Sequence, residues 1–304
     1  MYINEQKKIS INGQLQYLSI RAESADLPLL LYLHGGPGDT ALPLVLKYNR
    51  DLEKYFTVVI WEQRGAGKSY YDFNSSEITM HMFLDDIYAL SKLLTKRFQQ
   101  EKLYLIGHSW GSVLGFMFIT KHPEMVSTYI GCGQVVNMKK SCRAAYDYAL
   151  SNADHKARER LLNIDCSYTG NNWMKDLLYV TKQVVKHKGS LYGSTSYNDL
   201  VKPFLCSKYY SVLDLYRRQK GSLQSLRHLW PELMQTDFTS HVNFSVPVIF
   251  IEGRHDKHVS SDLVKDYFDT IETEKQFFWF EKSCHFPQWS EHERFNHLMI
   301  QLLR

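Results

Sequence analysis

The stretch LYLIGHSWGS occupies residues 103–112 and is followed by the apolar run VLGFMFIT at residues 113–120. Residues 103–106 are typical of a strand buried on both faces, and the run after the motif predicts a helix that is apolar nearly all round. The pattern Gly-x-Ser109-x-Gly therefore stands between a strand and a helix, the context in which it has chemical meaning. Because a Cβ atom at either glycine would collide with the neighbouring strand or helix, we expect a strained turn. It would lift the Ser109 hydroxyl above the sheet, near the free N–H groups of the helix start.

Buried strands and helices alternate on both sides of this motif. Further strands are predicted at residues 28–33, 56–61, 126–130, 246–251 and 276–280. Further helices are predicted at residues 82–98, 260–269 and 291–303. A hairpin, residues 8–11 and 14–21, opens the chain, and Asn12-Gly13 suits its tight turn. Apolar strands that alternate with helices specify a parallel sheet covered on both faces, so the fold class is α/β.

The alternation stops between residues 134 and 240. This stretch is rich in tyrosine and lysine, has few buried-strand signals, and contains sixteen lysines and arginines against nine aspartates and glutamates. We expect a core domain formed by residues 1–133 and 241–304, and a mainly helical cap formed by residues 134–240. The insert could be a purely structural subdomain, but its position beside the predicted site favours a lid over that site.

Two further side chains complete a nucleophilic site. A serine hydroxyl is a weak nucleophile at neutral pH, so Ser109 needs a base, and the base needs an orienting acid. Asp256 and His285 each follow one of the last two predicted strands, in the order that accompanies this turn. All three residues should lie at the carboxyl edge of the sheet, where open α/β folds bind ligands. His255 and His258 compete with His285, but neither follows the last strand, and two histidines without a third ligand do not make a metal site.

The reaction also needs N–H donors for an oxyanion. Trp110 offers its backbone N–H at the turn, and Gly36 offers another in the sequence HGGPG, residues 34–38, after the first buried strand. We therefore predict a site that uses side chains and backbone of the chain alone, with no cofactor and no metal.

Two glycine-rich stretches resemble nucleotide-binding motifs but lack essential parts. Residues 36–41 follow a strand as a dinucleotide fingerprint does, but Pro37 stands in the turn and no acid occupies the expected later position. Residues 64–69, RGAGKS, end as a P-loop does, but Glu62 stands where its first glycine should be. Neither stretch predicts a nucleotide.

Length and composition exclude several other classes. The chain has 304 residues and a formal net charge of +4, which makes no case for nucleic acid. It has no apolar run of the ~20 residues that cross a bilayer, and its first residues do not resemble a signal peptide. Five widely spaced cysteines without a CxxC pattern suit reduced thiols. We expect a cytoplasmic protein that acts on a small molecule or short peptide without a membrane partner; its oligomeric state is not encoded.

Three motifs together resemble one family: HGGPG (34–38), WEQRGAGKS (61–69) and GHSWGS (107–112). They look like the proline iminopeptidase branch of the α/β-hydrolase superfamily, a group of serine aminopeptidases. The resemblance covers the core domain and implies an eight-stranded, mostly parallel sheet with helices on both faces and a helical cap. It implies that Ser109 is the nucleophile, His285 the base and Asp256 the orienting acid. It also implies that Gly36 and Trp110 are the two oxyanion donors.

Two positions depart from that family's motifs, and they bear on the substrate. The family usually has aspartate where this chain has Glu62, and glycine where it has His108. Its aminopeptidases hold the substrate's α-amino group with carboxylates in and around the cap, a role for which Glu232 and Glu159 are candidates here. The basic insert would suit an anionic or neutral substrate if its cations line the site, but lysines and arginines more often solvate an outer face.

These observations predict a serine hydrolase that cleaves a small acyl compound through an acyl-enzyme. A proline iminopeptidase-like aminopeptidase is the leading activity, and a carboxylesterase or amidase of the same fold is the alternative. A non-catalytic receptor of this fold that binds a small ligand is a third possibility, which an intact triad disfavours.

Overall fold

Eight strands form one sheet in the part of the chain that the structure, a computed structural model, describes: residues 2–73 and 78–303. The strands are β1 (Ile3–Ile11), β2 (Gln14–Ala22), β3 (Leu29–Leu33), β4 (Thr57–Glu62), β5 (Leu103–His108), β6 (Val126–Cys132), β7 (Val248–Gly253) and β8 (Lys275–Phe280). Their order across the sheet is β1-β2-β4-β3-β5-β6-β7-β8. The pairs β1–β2 and β2–β4 are antiparallel and the other pairs are parallel. The predicted α/β class and the mostly parallel sheet are confirmed.

Helices cover both faces of the sheet. They are α1 (Leu42–Tyr48), α2 (Met80–Phe98), α3 (Trp110–Lys121), α4 (Met138–Asn152), α5 (His155–Leu162), α6 (Trp173–Lys186), α7 (Asn198–Leu205), α8 (Val212–Leu233), α9 (Ser261–Thr270), α10 (Pro287–Ser290) and α11 (His292–Gln301). Short 3-10 helices occupy Arg50–Lys54, Gly67–Ser69 and Pro123–Met125. None of the described helices has both the length and the apolar character that a bilayer crossing requires.

The pleat of the central strands explains why they are apolar throughout. All five residues of β3 are buried, and alternate side chains belong to different hydrophobic clusters. Leu29 and Leu31 cluster with α2 and α3, whereas Leu30 and Tyr32 cluster with α1 and α11. Successive side chains point to opposite faces, so a strand covered on both sides needs apolar residues at every position.

The opening hairpin has the predicted turn. Asn12 has a φ of 47° and Gly13 a φ of 79°, the positive angles for which this dipeptide is suited. Because the turn holds two residues, β1 and β2 pair in register from Ile11 and Gln14 outward.

Several element boundaries differ from the prediction by two or more residues; β1, for example, begins at Ile3 and not at residue 8. β7 begins at Val248, two residues later than expected, because Pro247 has no N–H to donate to a neighbouring strand. The closing helix was predicted at residues 291–303, and α11 runs from His292 to Gln301; the short helix α10, which was not predicted, ends before Glu291, which has a non-helical backbone. The Glu291 carboxylate instead accepts a hydrogen bond from the Ser283 hydroxyl at 2.7 Å, so it anchors the loop that precedes His285.

Five helices, α4 to α8, lie between β6 and β7, and the described residues of this region contain no strand element. The chain leaves the core and returns at adjacent points. Met138 N–H donates to the Thr236 carbonyl at 3.0 Å, and Phe238 N–H donates to the Val136 carbonyl at 2.8 Å. The assignment of residues 134–240 as a domain of their own stays a prediction.

Replacement of Gly111 tests how closely α3 approaches β3. A Cβ atom at this residue would lie 2.1 Å from the Leu33 carbonyl oxygen, so Gly111→Ala should lower the free energy of unfolding by about 1–3 kcal/mol or more. Gly170→Ala is the matched control, because a Cβ there meets no described atom within 4 Å and should change stability by less than about 0.5 kcal/mol. Urea unfolding measures both variants, and equal stabilities would contradict the close approach.

Candidate active site

Ser109 forms the turn between β5 and α3, at the carboxyl edge of the sheet. Its backbone has φ 52° and ψ −119°, a conformation that side-chain-bearing residues rarely adopt and that stores strain. A Cβ at Gly107 would lie 2.6 Å from the Gly111 carbonyl oxygen, and one at Gly111 would meet the end of β3. The expectation that packing requires both glycines is therefore confirmed.

Asp256 and His285 form a buried hydrogen-bonded pair. His285 Nδ1 lies 2.8 Å from Asp256 Oδ2, and both side chains are buried. The second carboxylate oxygen, Oδ1, accepts hydrogen bonds from the backbone N–H groups of His258 at 2.8 Å and Val259 at 3.0 Å. Because a carboxylate accepts hydrogen bonds, we assign the proton of the neutral imidazole to Nδ1, which leaves a lone pair on Nε2.

Burial acts on both members of this pair. It lowers the pKa of His285 and so favours the neutral ring that a general base requires. It raises the pKa of Asp256, while the backbone N–H donors of His258 and Val259 act in the opposite direction.

The surroundings of His285 fix its ring from several sides. The backbone N–H of His285 donates to the Ser190 carbonyl at 3.2 Å. The backbone carbonyl of His285 accepts from His108 Nε2 at 3.0 Å. The ring of His258 stacks on it with centroids 4.5 Å apart. A side chain at Gly133 would meet it, since a Cβ there would lie 2.9 Å from His285 Nδ1.

Ser109 and His285 line the same cavity. No hydrogen bond joins their side chains among the described residues, although such bonds in enzymes without substrate are often long and shorten on binding. The structure thus brings Asp256 and His285 into direct contact and places Ser109 and His285 at one cavity. Of the competing histidines, His258 packs against His285, whereas His255 is exposed and lies against Tyr192.

The two predicted oxyanion donors lie beside Ser109. Gly36 and Trp110 line a cavity together with Ser109, and neither backbone N–H donates a hydrogen bond to any described residue. Gly36 has a φ of 136°, a conformation that favours glycine. Both N–H groups are therefore free to bind a substrate oxygen.

Gln63 connects the two donor segments, and the sequence reasoning missed it. Its backbone N–H donates to His34 Nε2 at 3.0 Å, and its side-chain amide donates to the His34 carbonyl at 3.1 Å. Its amide oxygen accepts from Trp110 Nε1 at 2.9 Å. Gln63 follows β4, which also ends at the carboxyl edge, so the position after that strand was the signal that could have identified it.

The cavity has two lobes that meet at Ser109. The first has a volume of about 210 Å³ and is lined by Trp110 but not by His285; we call it the Trp110 lobe. The second has a volume of about 280 Å³ and is lined by His285 but not by Trp110; we call it the His285 lobe. Gly36 and His258 line both lobes.

Comparison with known proteins places this geometry in a family. The profile described as alpha/beta hydrolase fold matches residues 28–292. The chain belongs to the α/β-hydrolase family. A Bacillus subtilis (strain 168) protein named probable aminopeptidase YbaC is 33% identical to this hydrolase over 291 residues, which cover 94% of this chain and 92% of the relative.

More distant relatives have similar names. The proline iminopeptidase of Heyndrickxia coagulans is 23% identical over 289 residues, 93% of this chain and 92% of that protein. The crystal structure of VinJ matches 98% of both chains with a TM-score of 0.76 and 20% identity, which shows the fold alone. The predicted likeness to proline iminopeptidases is therefore confirmed.

The hydrolase has one charged pair at the His285 lobe. Arg218 on α8 donates through Nε and Nη2 to the two carboxylate oxygens of Asp39, and the latter bond is 3.0 Å long. Among the described lysines and arginines of the insert, Arg218 alone lines either lobe. The other described cations of the insert thus line neither lobe, as expected for a solvated outer face.

Neither candidate carboxylate for an α-amino group lines the cavity. Glu232 accepts a hydrogen bond from the Met80 N–H at 2.7 Å, at the start of α2, and Glu159 is exposed beside His155. Asp39 is the one carboxylate among the described residues that lines a lobe, and Arg218 neutralises it.

Glu62, the residue at a family aspartate position, ties the sheet to α7 and α8. Its buried carboxylate accepts hydrogen bonds from the Tyr210 hydroxyl and the Lys68 backbone N–H. Burial raises its pKa to about 7. Because Tyr210 lies in the segment between α7 and α8, this bond supports the part of the insert that borders the His285 lobe.

The hydrogen bonds of His34 predict a pH-dependent stability. Burial lowers the pKa of His34 to about 4, and a protonated ring could not accept the Gln63 N–H. At pH values above the pKa of the unfolded state, about 6.5, the neutral His34 ring stabilises the folded state. That contribution to stability is lost as the pH falls toward 4. Between pH 7.5 and pH 5, the stability advantage of the wild type over His34→Asn should shrink by about 2 kcal/mol in urea unfolding.

His155→Asn is the matched control for this measurement, because the His155 side chain is largely exposed. Its stability relative to the wild type should not change over the same pH interval. A constant difference between the wild type and His34→Asn would contradict the buried, neutral state of His34.

Proposed function

We propose that the protein is a serine hydrolase that cleaves a small acyl compound through an acyl-enzyme at Ser109. The observation that supports this most strongly is the buried Asp256–His285 hydrogen bond of 2.8 Å at the cavity that Ser109 also lines. In this arrangement a neutral imidazole with its lone pair on Nε2 has an anionic partner that stabilises the imidazolium formed during reaction.

In the first proposed half-reaction, Ser109 Oγ attacks the substrate carbonyl carbon while His285 Nε2 takes the hydroxyl proton. The carbonyl oxygen becomes an oxyanion, which the N–H groups of Gly36 and Trp110 stabilise. The bond to the leaving group then breaks, and His285 gives its proton to the departing atom.

In the second half-reaction, water replaces the leaving group. His285 takes a proton from water, the hydroxide oxygen attacks the acyl carbon, and the returning proton restores the Ser109 hydroxyl as the acid departs. Both half-reactions use side chains and backbone groups of this chain together with water.

The specific activity that we propose is release of an N-terminal residue, proline or another small one, from a peptide or amide. Its support is the 33% identity to a protein named probable aminopeptidase and the similarity to named proline iminopeptidases.

A second candidate, a carboxylesterase or amidase for substrates without a free amine, is favoured by the lining of the two lobes. An ammonium group requires an acidic partner, and among the described residues Asp39, already paired with Arg218, is the one carboxylate at the cavity.

Covalent labelling tests the nucleophile. A fluorophosphonate probe should label the wild-type protein once, at Ser109, because the probe reacts with activated serines. Ser109→Ala should abolish labelling, and His285→Ala should slow it by on the order of 10⁴-fold or more. Mass spectrometry locates the adduct. Ser151→Ala, at an exposed serine, is the control and should label like the wild type. Absence of labelling in folded wild type would favour a non-catalytic receptor.

A substrate panel separates the two candidate activities. We expect the aminopeptidase to hydrolyse proline and alanine β-naphthylamides with a free amine, and short p-nitrophenyl esters. Blocking the amine should lower kcat/KM by at least tenfold, because an N-terminal exopeptidase uses that group for binding. If N-blocked amides and esters are hydrolysed and free aminoacyl amides are not, the peptidase assignment is wrong and the esterase or amidase is favoured.

A further inference from the structure

The loop that carries Gly36 is folded tightly on itself. A Cβ atom at Gly36 would lie 2.6 Å from the Gly38 nitrogen and 2.7 Å from the Asp39 nitrogen, so no space separates these backbone groups. Pro37 between them has a fixed φ angle, which leaves the loop few ways to rearrange. Asp39 Oδ1 accepts a hydrogen bond from the Thr40 N–H at 2.8 Å, which ties the carboxylate to the backbone that follows it. A displacement of Asp39 would therefore be transmitted to Gly36.

Helix α8 of the insert contacts this loop twice. The first contact is between backbones: a Cβ atom at Gly38 would lie 2.4 Å from the Gly221 carbonyl oxygen. The second is an ion pair one turn earlier on the helix, in which Arg218 donates through Nε and Nη2 to the two carboxylate oxygens of Asp39. Gly221 also meets the core, since a Cβ atom there would lie 2.3 Å from the Gly65 carbonyl oxygen. Helix α8 is thus packed directly against the loop and the core.

The ion pair is held in one geometry. The Arg218 guanidinium lies over the ring of the buried Phe204 on α7, 3.9 Å from its centroid. A guanidinium that donates to both oxygens of one carboxylate fixes the direction of the pair as well as its distance. The opposite charges of Arg218 and Asp39 also compensate each other at the wall of the His285 lobe. The pair therefore supplies position to the loop and little net charge to a substrate.

The other end of the loop is anchored by the core. Gln63 donates its backbone N–H to His34 Nε2 at 3.0 Å and its side-chain amide to the His34 carbonyl at 3.1 Å. Gly36 therefore lies between two anchors, one at His34 from the core and one at Asp39 from the insert. An oxyanion donor must lie about 2.7–3.1 Å from the developing charge, and a misplacement of about 1 Å at an active site can lower the rate about 10²-fold. A donor held at one end only would lose part of its effect.

We propose that Arg218 is a positioning residue for the oxyanion donor Gly36 and acts on it through Asp39. The insert then does more than cover the cavity, because α8 completes the support of the oxyanion site. This proposal rests on the proposed acyl-enzyme function and adds to it a residue that lies outside the three sequence motifs. Periodicity and motifs could not reveal it, since Asp39 and Arg218 are 179 residues apart in the chain.

A pair of matched inhibitors isolates the oxyanion site. The carbonyl carbon of 1,1,1-trifluoropentan-2-one accepts a bond from Ser109 Oγ, and the hydroxyl proton passes to His285. The carbonyl oxygen becomes an oxyanion at the N–H groups of Gly36 and Trp110. The alcohol 1,1,1-trifluoropentan-2-ol has the same carbon chain and forms no such adduct, so its Ki reports the fit of the cavity alone, whereas the Ki of the ketone reports the transition-state interaction. The substrate is p-nitrophenyl butyrate, which has the same acyl chain.

The decisive variant carries Asp39→Asn and Arg218→Met together. It removes both charges at once, so it breaks the anchor without leaving an unpaired charge beside the oxyanion. The ketone should bind about tenfold more weakly, and kcat for the butyrate should fall by the same factor, which is part of the loss of about 10²–10³-fold that removal of one donor causes. The Ki of the alcohol and KM should change less than about twofold. Arg218→Lys keeps the charge but not the two-bond geometry, so its losses should be intermediate.

Arg217→Met is the matched control on the same helix. Arg217 lines neither lobe, and its guanidinium lies 4.0 Å from the Asp214 carboxylate within α8. Both Ki values and kcat should remain those of the wild type. Should the double variant fail to fold, as judged by circular dichroism, Arg218→Lys decides with the same measurements.

Two failures can be told apart. If the wild type neither reacts with a fluorophosphonate nor hydrolyses p-nitrophenyl butyrate, the proposed function is wrong and the role of Arg218 is wrong with it. If the wild type is active, equal changes in the Ki values of the ketone and the alcohol, or no change in either, overturn the positioning role of Arg218 alone.

Discussion

The close approach of the α3 start to the end of β3 is the constraint on which the site depends. Gly111 lies so near the Leu33 carbonyl that no side chain fits between them. This contact brings two separate segments together: the turn that carries Ser109 and Trp110, and the loop that carries Gly36. Gln63 then bonds to both segments through His34 and Trp110, so the proposed nucleophile and both proposed oxyanion donors share one hydrogen-bonded support.

A second junction joins the acid and base loops to the insert. Residues 188–190, which follow α6, contact both loops through backbone bonds: Lys257 N–H donates to the Gly189 carbonyl, and His285 N–H donates to the Ser190 carbonyl. Ser190 Oγ also lies 3.1 Å from His258 Nδ1. The same short segment thus contacts both His285 and the loop that carries Asp256, so the insert is tied to both by hydrogen bonds.

Much of the fold was predictable because buried parallel strands are apolar throughout. The first hairpin was predictable because the dipeptide Asn12-Gly13 suits few conformations other than a tight turn. The residues of the site were predictable as positions, since Ser109, Asp256 and His285 each follow a strand. The short helix α10 and the bond between Glu291 and Ser283 were not predicted, because hydrophobic periodicity reveals neither. The contacts of Gln63 and the pairing of Asp39 with Arg218 also depend on tertiary neighbours far apart in sequence.

The proposed mechanism requires Ser109, His285, Gly36 and Trp110 to converge on one reacting carbon, and the crystal structure of a phosphonate adduct tests this convergence directly. We predict phosphorus bonded to Ser109 Oγ, with one phosphonyl oxygen within ~3.1 Å of the N–H groups of both Gly36 and Trp110. His285 Nε2 should face the adduct from the opposite side. An adduct on another residue, or a phosphonyl oxygen directed away from both N–H groups, would contradict this convergence.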